Sequence, residues 1–193
     1  SSDYPENGDV FWLEGTIWVS DEMEDFSTHN AIKTEVLTVL NAIVKANKLG
    51  FMFSDRMRLV HEKASLSVEP DVMYASLSSI ENRRVLLEPN ENERILEVEG
   101  SPDMVLEVVS DSSVSKDAEL ESTYFNAGVQ EYWRIDARGD ALKFEILRRG
   151  SDKFVPTPRR KGRLKSAVFD RSFELNVKEG LLGIPEYTLE ASE

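Results

Sequence analysis

Apolar residues recur at the helical period between residues 30 and 48, where Ile32, Val36, Leu40, Ile43 and Val44 fall on one stripe. That spacing predicts a helix, capped at Thr28 or Asn30 and ended by Leu49-Gly50. The pattern then turns to alternation. "FMFSDRMRLV", residues 51 to 60, reads as a strand or bent hairpin with a break near Asp55. "LSVEPDVMYAS", residues 66 to 76, reads as a second strand, which Pro70 kinks or marks as an edge because proline cannot donate to a ladder. Residues 76 to 100 read as a loop excursion with a small hairpin about the turn-like "EPNENE". "DMVLEVV", residues 103 to 109, is apolar in both registers, the mark of a central strand covered on both faces. A helix over about 115 to 127 follows, stopped by Gly128. "EYWRID" and "ALKFEILRR" are two strands joined by "ARGD", and "FELNV" is a last short strand. Ahead of all this, residues 1 to 27 form an irregular acidic lead with one short strand in "GTIWVS".

Helix, three strands, helix, two strands is an α/β order, and a mixed sheet flanked by helices is its natural packing. A chain of 193 residues suits one domain with a real core. We expect an N-terminal extension over 1–27, a core over 28–176 and a C-terminal tail over 177–193. The absence of cysteine excludes disulfides and thiolate metal sites. Two histidines, His29 and His61, argue against a zinc site built mostly on histidine. The polar N-terminus shows no signal peptide, and no run approaches 18 apolar residues, so a cytoplasmic location without membrane contact is expected.

Three acids occupy strand positions: Asp71, Asp103 and Glu107. A carboxylate in a central strand is costly unless protonated, paired or bound to a cation. Asp103 and Glu107 share a face, but four steps of the strand separate them by roughly 13 Å, too far for one metal ion. Asp71 lies on another strand, and neighbouring strands are about 4.8 Å apart. Asp71 and Glu107 therefore meet at a single Mg²⁺ if their strands pair in register, and oxygen ligands suit that ion. Plainer readings stand beside this one. Asp103 suits a turn that accepts backbone hydrogen bonds. Glu107 has Arg134 and Lys143 within reach on an adjacent strand. The following helix sets Lys116, Leu120, Tyr124 and Ala127 on one stripe facing the sheet. Lys116 is either aimed at the strand carboxylates or solvated at a frayed helix start.

"EPDV", "GSPDMVLEVVS" and the helix leading to "AGVQEYWRID" resemble the Uma2 family, also called DUF820, over about Thr28 to Asn176. The resemblance implies a restriction endonuclease-like core of the PD-(D/E)XK nuclease superfamily, here with an added hairpin excursion. It also implies a Mg²⁺- or Mn²⁺-dependent site that cleaves phosphodiester bonds. On this reading Asp71 and Glu107 hold the metal, Asp103 is the other strand-start aspartate, and Asp71, Asp103, Glu107 and Lys116 form the catalytic set. Tyr124, Gly128, Glu131, Tyr132, Trp133 and Asp136 match the downstream signature and read as packing. The superfamily lysine two residues after the glutamate is Val109 here, and the family's helix lysine is Leu120; Lys116 is the nearest lysine, one turn earlier. The expected reaction is metal-assisted hydrolysis, with Lys116 orienting the water or stabilising charge. The alternative is an inactive nuclease fold that binds nucleic acid or protein.

Charge bears on the partner. Asp plus Glu number 36 against 23 Lys plus Arg, a formal charge of −13, which repels nucleic acid non-specifically. DNA, the expected partner, therefore needs a local basic surface. "RRKGRLK", residues 159 to 165, carries five cations in seven positions, and Arg83, Arg84, Arg148 and Arg149 add more. Phosphate contacts are expected at Arg83, Arg84, Arg159, Arg160 and Lys161. A second copy of the chain, in a homodimer, is the other partner considered.

Overall fold

The expected first helix forms, but its entry differs from a simple cap. The computed structural model describes residues 9–13, 15–20, 25–54, 56–109, 114–139 and 141–193, with the side chains of 9–11, 18–20 and 114–118 outside that description. Strands β1 (Asp9–Leu13) and β2 (Thr16–Ser20) pair as a hairpin. A single π-helical turn, Phe26–Asn30, then leads into α1 (Ala31–Asn47). Neither Thr28 nor Asn30 caps α1 with its side chain. Instead the Asp25 carboxylate accepts from Ser27 Oγ at 2.8 Å and Thr28 Oγ1 at 2.5 Å, and Asn30 N donates five residues back to Asp25 O. Wide turns of this kind re-aim side chains, and here the turn carries His29. Lys48, in the left-handed conformation at φ 52°, ends α1 one residue ahead of the expected Leu49-Gly50.

The chain next moves between two sheets. Strand β3 (Gly50–Ser54) belongs to the central sheet, whereas β4 (Arg58–His61) and β5 (Leu66–Val68) belong to a second one. Strand β6 (Val72–Ser76) returns to the central sheet. The segment over 51–60, expected as a strand or bent hairpin broken near Asp55, and the segment over 66–76, expected as one strand that Pro70 kinks or marks as an edge, are each two strands in different sheets. Pro70 supplies the second break, since it interrupts donation just where the chain crosses over. The excursion holds a short helix, α2 (Leu77–Glu81), and the antiparallel pair β7 (Val85–Leu86) and β8 (Glu97–Gly100), which realises the expected small hairpin.

Strand β9 (Met104–Val108) runs between β6, antiparallel, and β10 (Glu131–Asp136), parallel. Helix α3 (Val114–Asn126) makes the crossover from β9 to β10. Gly128, at φ 82°, follows the helix end; a Cβ there would lie 2.8 Å from Ser101 Oγ, so both conformation and space require glycine. Strands β11 (Lys143–Arg149) and β12 (Phe154–Pro156) complete a mixed central sheet of order β12-β11-β10-β9-β6-β3. Its two faces are covered differently. Met104, Leu106 and Val108 pack with Ile32, Val36 and Leu40 of α1, while Val105 packs with Leu120 and Tyr124 of α3 and with the second sheet. Both faces of β9 are thus buried, as its doubly apolar pattern requires.

The carboxyl end departs from expectation. "FELNV" lies within β14 (Arg171–Glu179), which pairs on one side with β13 (Leu164–Ser166) and on the other with β15 (Pro185–Ser192). Residues assigned to a tail are therefore largely strand: Tyr187 and Leu189 are buried in the α1-side core, and Leu189 N donates to Glu35 Oε1 at 2.9 Å. Alternation in "EYTLE" carries that signal, with only two large apolar residues to mark it. The three-stranded sheet is tied to β10 by buried Glu131, whose carboxylate accepts from Trp133 Nε1, Ser166 Oγ, Ala167 N and Val168 N at 3.0, 2.6, 2.6 and 3.3 Å. Among the described residues no helix is long and apolar enough to cross a membrane.

Candidate functional site

The pairing of β6 with β9 decides which acids stand opposite each other. Val72 faces Leu106, Met73 faces Val105 and Tyr74 faces Met104. One step further in the same register, Asp71 comes opposite Glu107. Asp71 sits just ahead of β6, where the chain has crossed from the second sheet, so its side chain is not confined to one pleat direction. Its Oδ2 accepts from Val108 N at 2.7 Å, and its Oδ1 meets His29 Nε2 at 3.0 Å. Lys33 Nζ stands 4.0 Å from the same Oδ1. One carboxylate thus joins the end of β9 to the entry of α1.

Glu107 alternates with Leu106 and Val108 and so faces the α3 side with Val105. There its Oε1 accepts from Tyr124 Oη at 2.5 Å. Tyr124 is fully buried, and burial pushes its phenol well above the ordinary value. The negative charge of Glu107, the hydrogen bond to it, Tyr132 and Asp71 push in the same direction. Tyr124 is therefore a fixed donor across the working pH range. An unfolded tyrosine ionises near pH 10. Below that the phenol is neutral in both states; above it the unfolded chain releases a proton that the folded chain keeps, so stability falls as pH rises. We expect the wild-type melting temperature to fall more steeply than that of Tyr124→Phe between about pH 10 and 11; parallel slopes in a thermal-melt series would show that Tyr124 is not held neutral.

The alternative partners of Glu107 are directed elsewhere. Arg134 lies opposite Glu107 on β10, but its guanidinium reaches Glu145 at 2.7 Å and Glu121 at 3.4 Å. Lys143 Nζ lies 3.9 Å from Asp136 Oδ2. The Asp136 carboxyl is held down at about 2, chiefly by its hydrogen bond from Arg138. A polar cleft of about 160 Å³ opens here, between Val109, Arg134, Arg138 and Glu145.

Asp103 does not join the pair. It sits at the other end of β9, where Oδ2 accepts from Ser76 N at 2.7 Å and Oδ1 from Ser79 Oγ at 2.8 Å, with Arg84 Nη1 at 3.4 Å. It fixes the start of α2, as its hydrogen-bonding reading expects. Arg84 is committed there too, donating also to Ser101 O at 3.2 Å, and Arg83 is its exposed neighbour; both therefore lie away from Glu107. Arg159 donates to Gly162 O at 2.6 Å and Phe144 O at 2.8 Å, so its guanidinium braces its own loop. Arg160 and Lys161 are exposed in that turn. The Lys116 side chain lies outside the described residues. Val109 and Leu120, at the two positions where the resemblance implies a lysine, are both buried, Leu120 in the α3-side core and Val109 beside the polar cleft.

Sequence reasoning missed His29, Lys33 and the polar role of Tyr124. The signal for Lys33 was present: positions 33, 36, 40 and 44 share a helical stripe, and a lysine on a buried stripe needs a partner. The donor set fits a hard divalent cation, which takes carboxylate oxygens and keeps several waters. Among the described residues no three His, Asp or Glu side chains are grouped to hold an ion. An ion at Asp71 and Glu107 would thus draw its other ligands from water and substrate.

Comparison with known proteins places the family and the fold. Residues 5–178 match the Uma2 family, described as "Putative restriction endonuclease". The fold is similar to a crystal structure described as "a putative nuclease belonging to DUF820 from Anabaena variabilis ATCC 29413", with a TM-score of 0.64, 21% identity and 83% of each chain covered. No curated protein matches the chain. With the greater part of its length matched, the chain belongs to the Uma2 family.

Proposed function

We propose that the chain is a Mg²⁺-dependent nuclease that hydrolyses phosphodiester bonds in DNA, with Asp71 and Glu107 as the protein's metal ligands. The observation that supports this reading is the strand register that sets Asp71 opposite Glu107, with each carboxylate oriented by a separate donor: Val108 N and His29 for Asp71, Tyr124 for Glu107. A pair fixed in this way needs little reorganisation to bind. When bound, Mg²⁺ (or Mn²⁺) supplies Lewis acidity to the phosphate and lowers the pKa of an attacking water. The chain's own residues do the rest. Asp71 and Glu107 would hold the ion at the sheet end, and Tyr124 and His29 keep the two carboxylates from turning away. Hydrolysis joins the water oxygen to phosphorus, breaks one P–O ester bond and returns a proton to the departing oxygen.

A second reading, an inactive fold that binds nucleic acid or protein, draws support from Val109 and Leu120, which fill the two lysine positions with buried apolar side chains. A cleavage assay on plasmid and single-stranded DNA separates the two. We expect nicking or degradation in Mg²⁺ or Mn²⁺ that a chelator abolishes. Intact DNA at high enzyme concentration with both metals would count against the nuclease reading.

A further inference from the structure

Lys33 is 4% exposed and lies in the first turn of α1. Two costs attend that placement. A cation near a helix N-terminus opposes the macrodipole, and a buried ammonium loses its hydration. Asp71 Oδ1 at 4.0 Å offsets both. Asp71 itself already accepts from Val108 N and is in contact with His29, so it does not depend on a lysine for its own satisfaction. The π turn sets His29 one helical turn before Lys33, so both reach the same carboxylate oxygen. The effect is a positive charge held beside Asp71, the acid that the strand register sets opposite Glu107.

We propose that Lys33 supplies the side-chain cation of this site, engaging the substrate phosphate from α1 rather than from β9 or α3. The inference rests on the nuclease reading for its substrate class, a phosphodiester, but it makes a separate claim about which residue carries the charge. An ammonium here stabilises negative charge that grows on the phosphate oxygens during attack, an effect larger in a partly buried site than in water. Lysine suits the task as a compact point charge on a flexible stem.

The test compares Lys33→Met, Lys33→Arg and Lys116→Met in the full chain, with Lys33→Gln giving the same readouts should the methionine variant fail to fold. Three quantities are read: Mn²⁺ binding by calorimetry, kcat and KM for DNA cleavage, and binding of a fluorescent oligonucleotide with Ca²⁺ in place of Mg²⁺. Removing a neighbouring cation should leave Mn²⁺ binding intact or tighter. The same change should lower kcat by about 10²-fold and weaken oligonucleotide binding by about tenfold. Lys33→Arg should recover at least a tenth of the wild-type kcat, and Lys116→Met should lose clearly less of it than Lys33→Met. A purely structural lysine would instead alter melting temperature and Mn²⁺ binding together. Unchanged kcat in Lys33→Met, or an equal loss in Lys116→Met, overturns the proposal. A wild type that binds Mn²⁺ without cleaving DNA overturns the nuclease reading alone, and the oligonucleotide arm then decides: tenfold weaker binding in Lys33→Met upholds the role of Lys33, whereas equal or absent binding ends it.

Discussion

Glu107→Gln is expected to lower metal-dependent cleavage by on the order of 10³-fold while leaving the fold intact. The reasoning is geometric. The substituted amide keeps the shape of the carboxylate and still presents an oxygen to the Tyr124 hydroxyl, which donates to Oε1 in the wild type. What it removes is the negative charge that a hard cation requires. Melting temperature should therefore move by a few degrees at most while turnover collapses. Asp71→Asn is a less clean probe, because Asp71 also compensates the buried Lys33 ammonium. Removing that charge leaves a buried cation short of its counter-charge, a change of about 3 kcal/mol in stability where burial is deep. If Glu107→Gln cleaves as the wild type does, Glu107 is a structural acid and the pair is not a metal site.

The largest effect on stability is expected at Glu131. This carboxylate is 2% exposed and accepts from four donors, two of them backbone amides of the turn after β13. Glu131→Ala leaves those donors without the acceptor around which the turn is folded. Buried donors left unmet cost about 1–3 kcal/mol each, partly relieved by water entering the space, so a net loss of about 3–5 kcal/mol is expected. In a chain of this size that lowers the melting temperature by roughly 10 °C. Urea denaturation of Glu131→Ala reads it directly, and a loss below about 1 kcal/mol would mean that the turn holds without its acceptor. Glu131→Ala lies far from the acid pair in role. It separates residues of the family signature that fold the chain from those that act.

The two variants also show where sequence reading succeeds. Strand β9 announces itself because residues on both of its faces are apolar, and the acid in its middle therefore stands out. The register that sets Asp71 opposite Glu107 follows once β6 and β9 are neighbours, and strand spacing keeps Asp103 apart, at the end of β9 where it holds the start of α2. The limits are equally physical. The break near Asp55 and the kink at Pro70 are legible, but that the chain changes sheets there is not, since a strand looks the same whichever sheet it joins. Strand β15 carries only Tyr187 and Leu189 as buried marks, too few to outweigh a polar terminal segment. His29 and Lys33 reach Asp71 across some forty positions of sequence because α1 packs on the sheet, a tertiary placement that local periodicity does not encode. Local pattern did hold one clue, a lysine lying on the buried stripe of α1.

The central claim is that Asp71 and Glu107 together bind one divalent cation. Calorimetric titration of the full chain with Mn²⁺, for wild type and for Glu107→Gln at matched melting temperature, addresses it without any assumption about substrate. One ion per wild-type chain and no measurable binding in Glu107→Gln is the predicted result. Equal binding in the two proteins, or none in the wild type, would contradict the account.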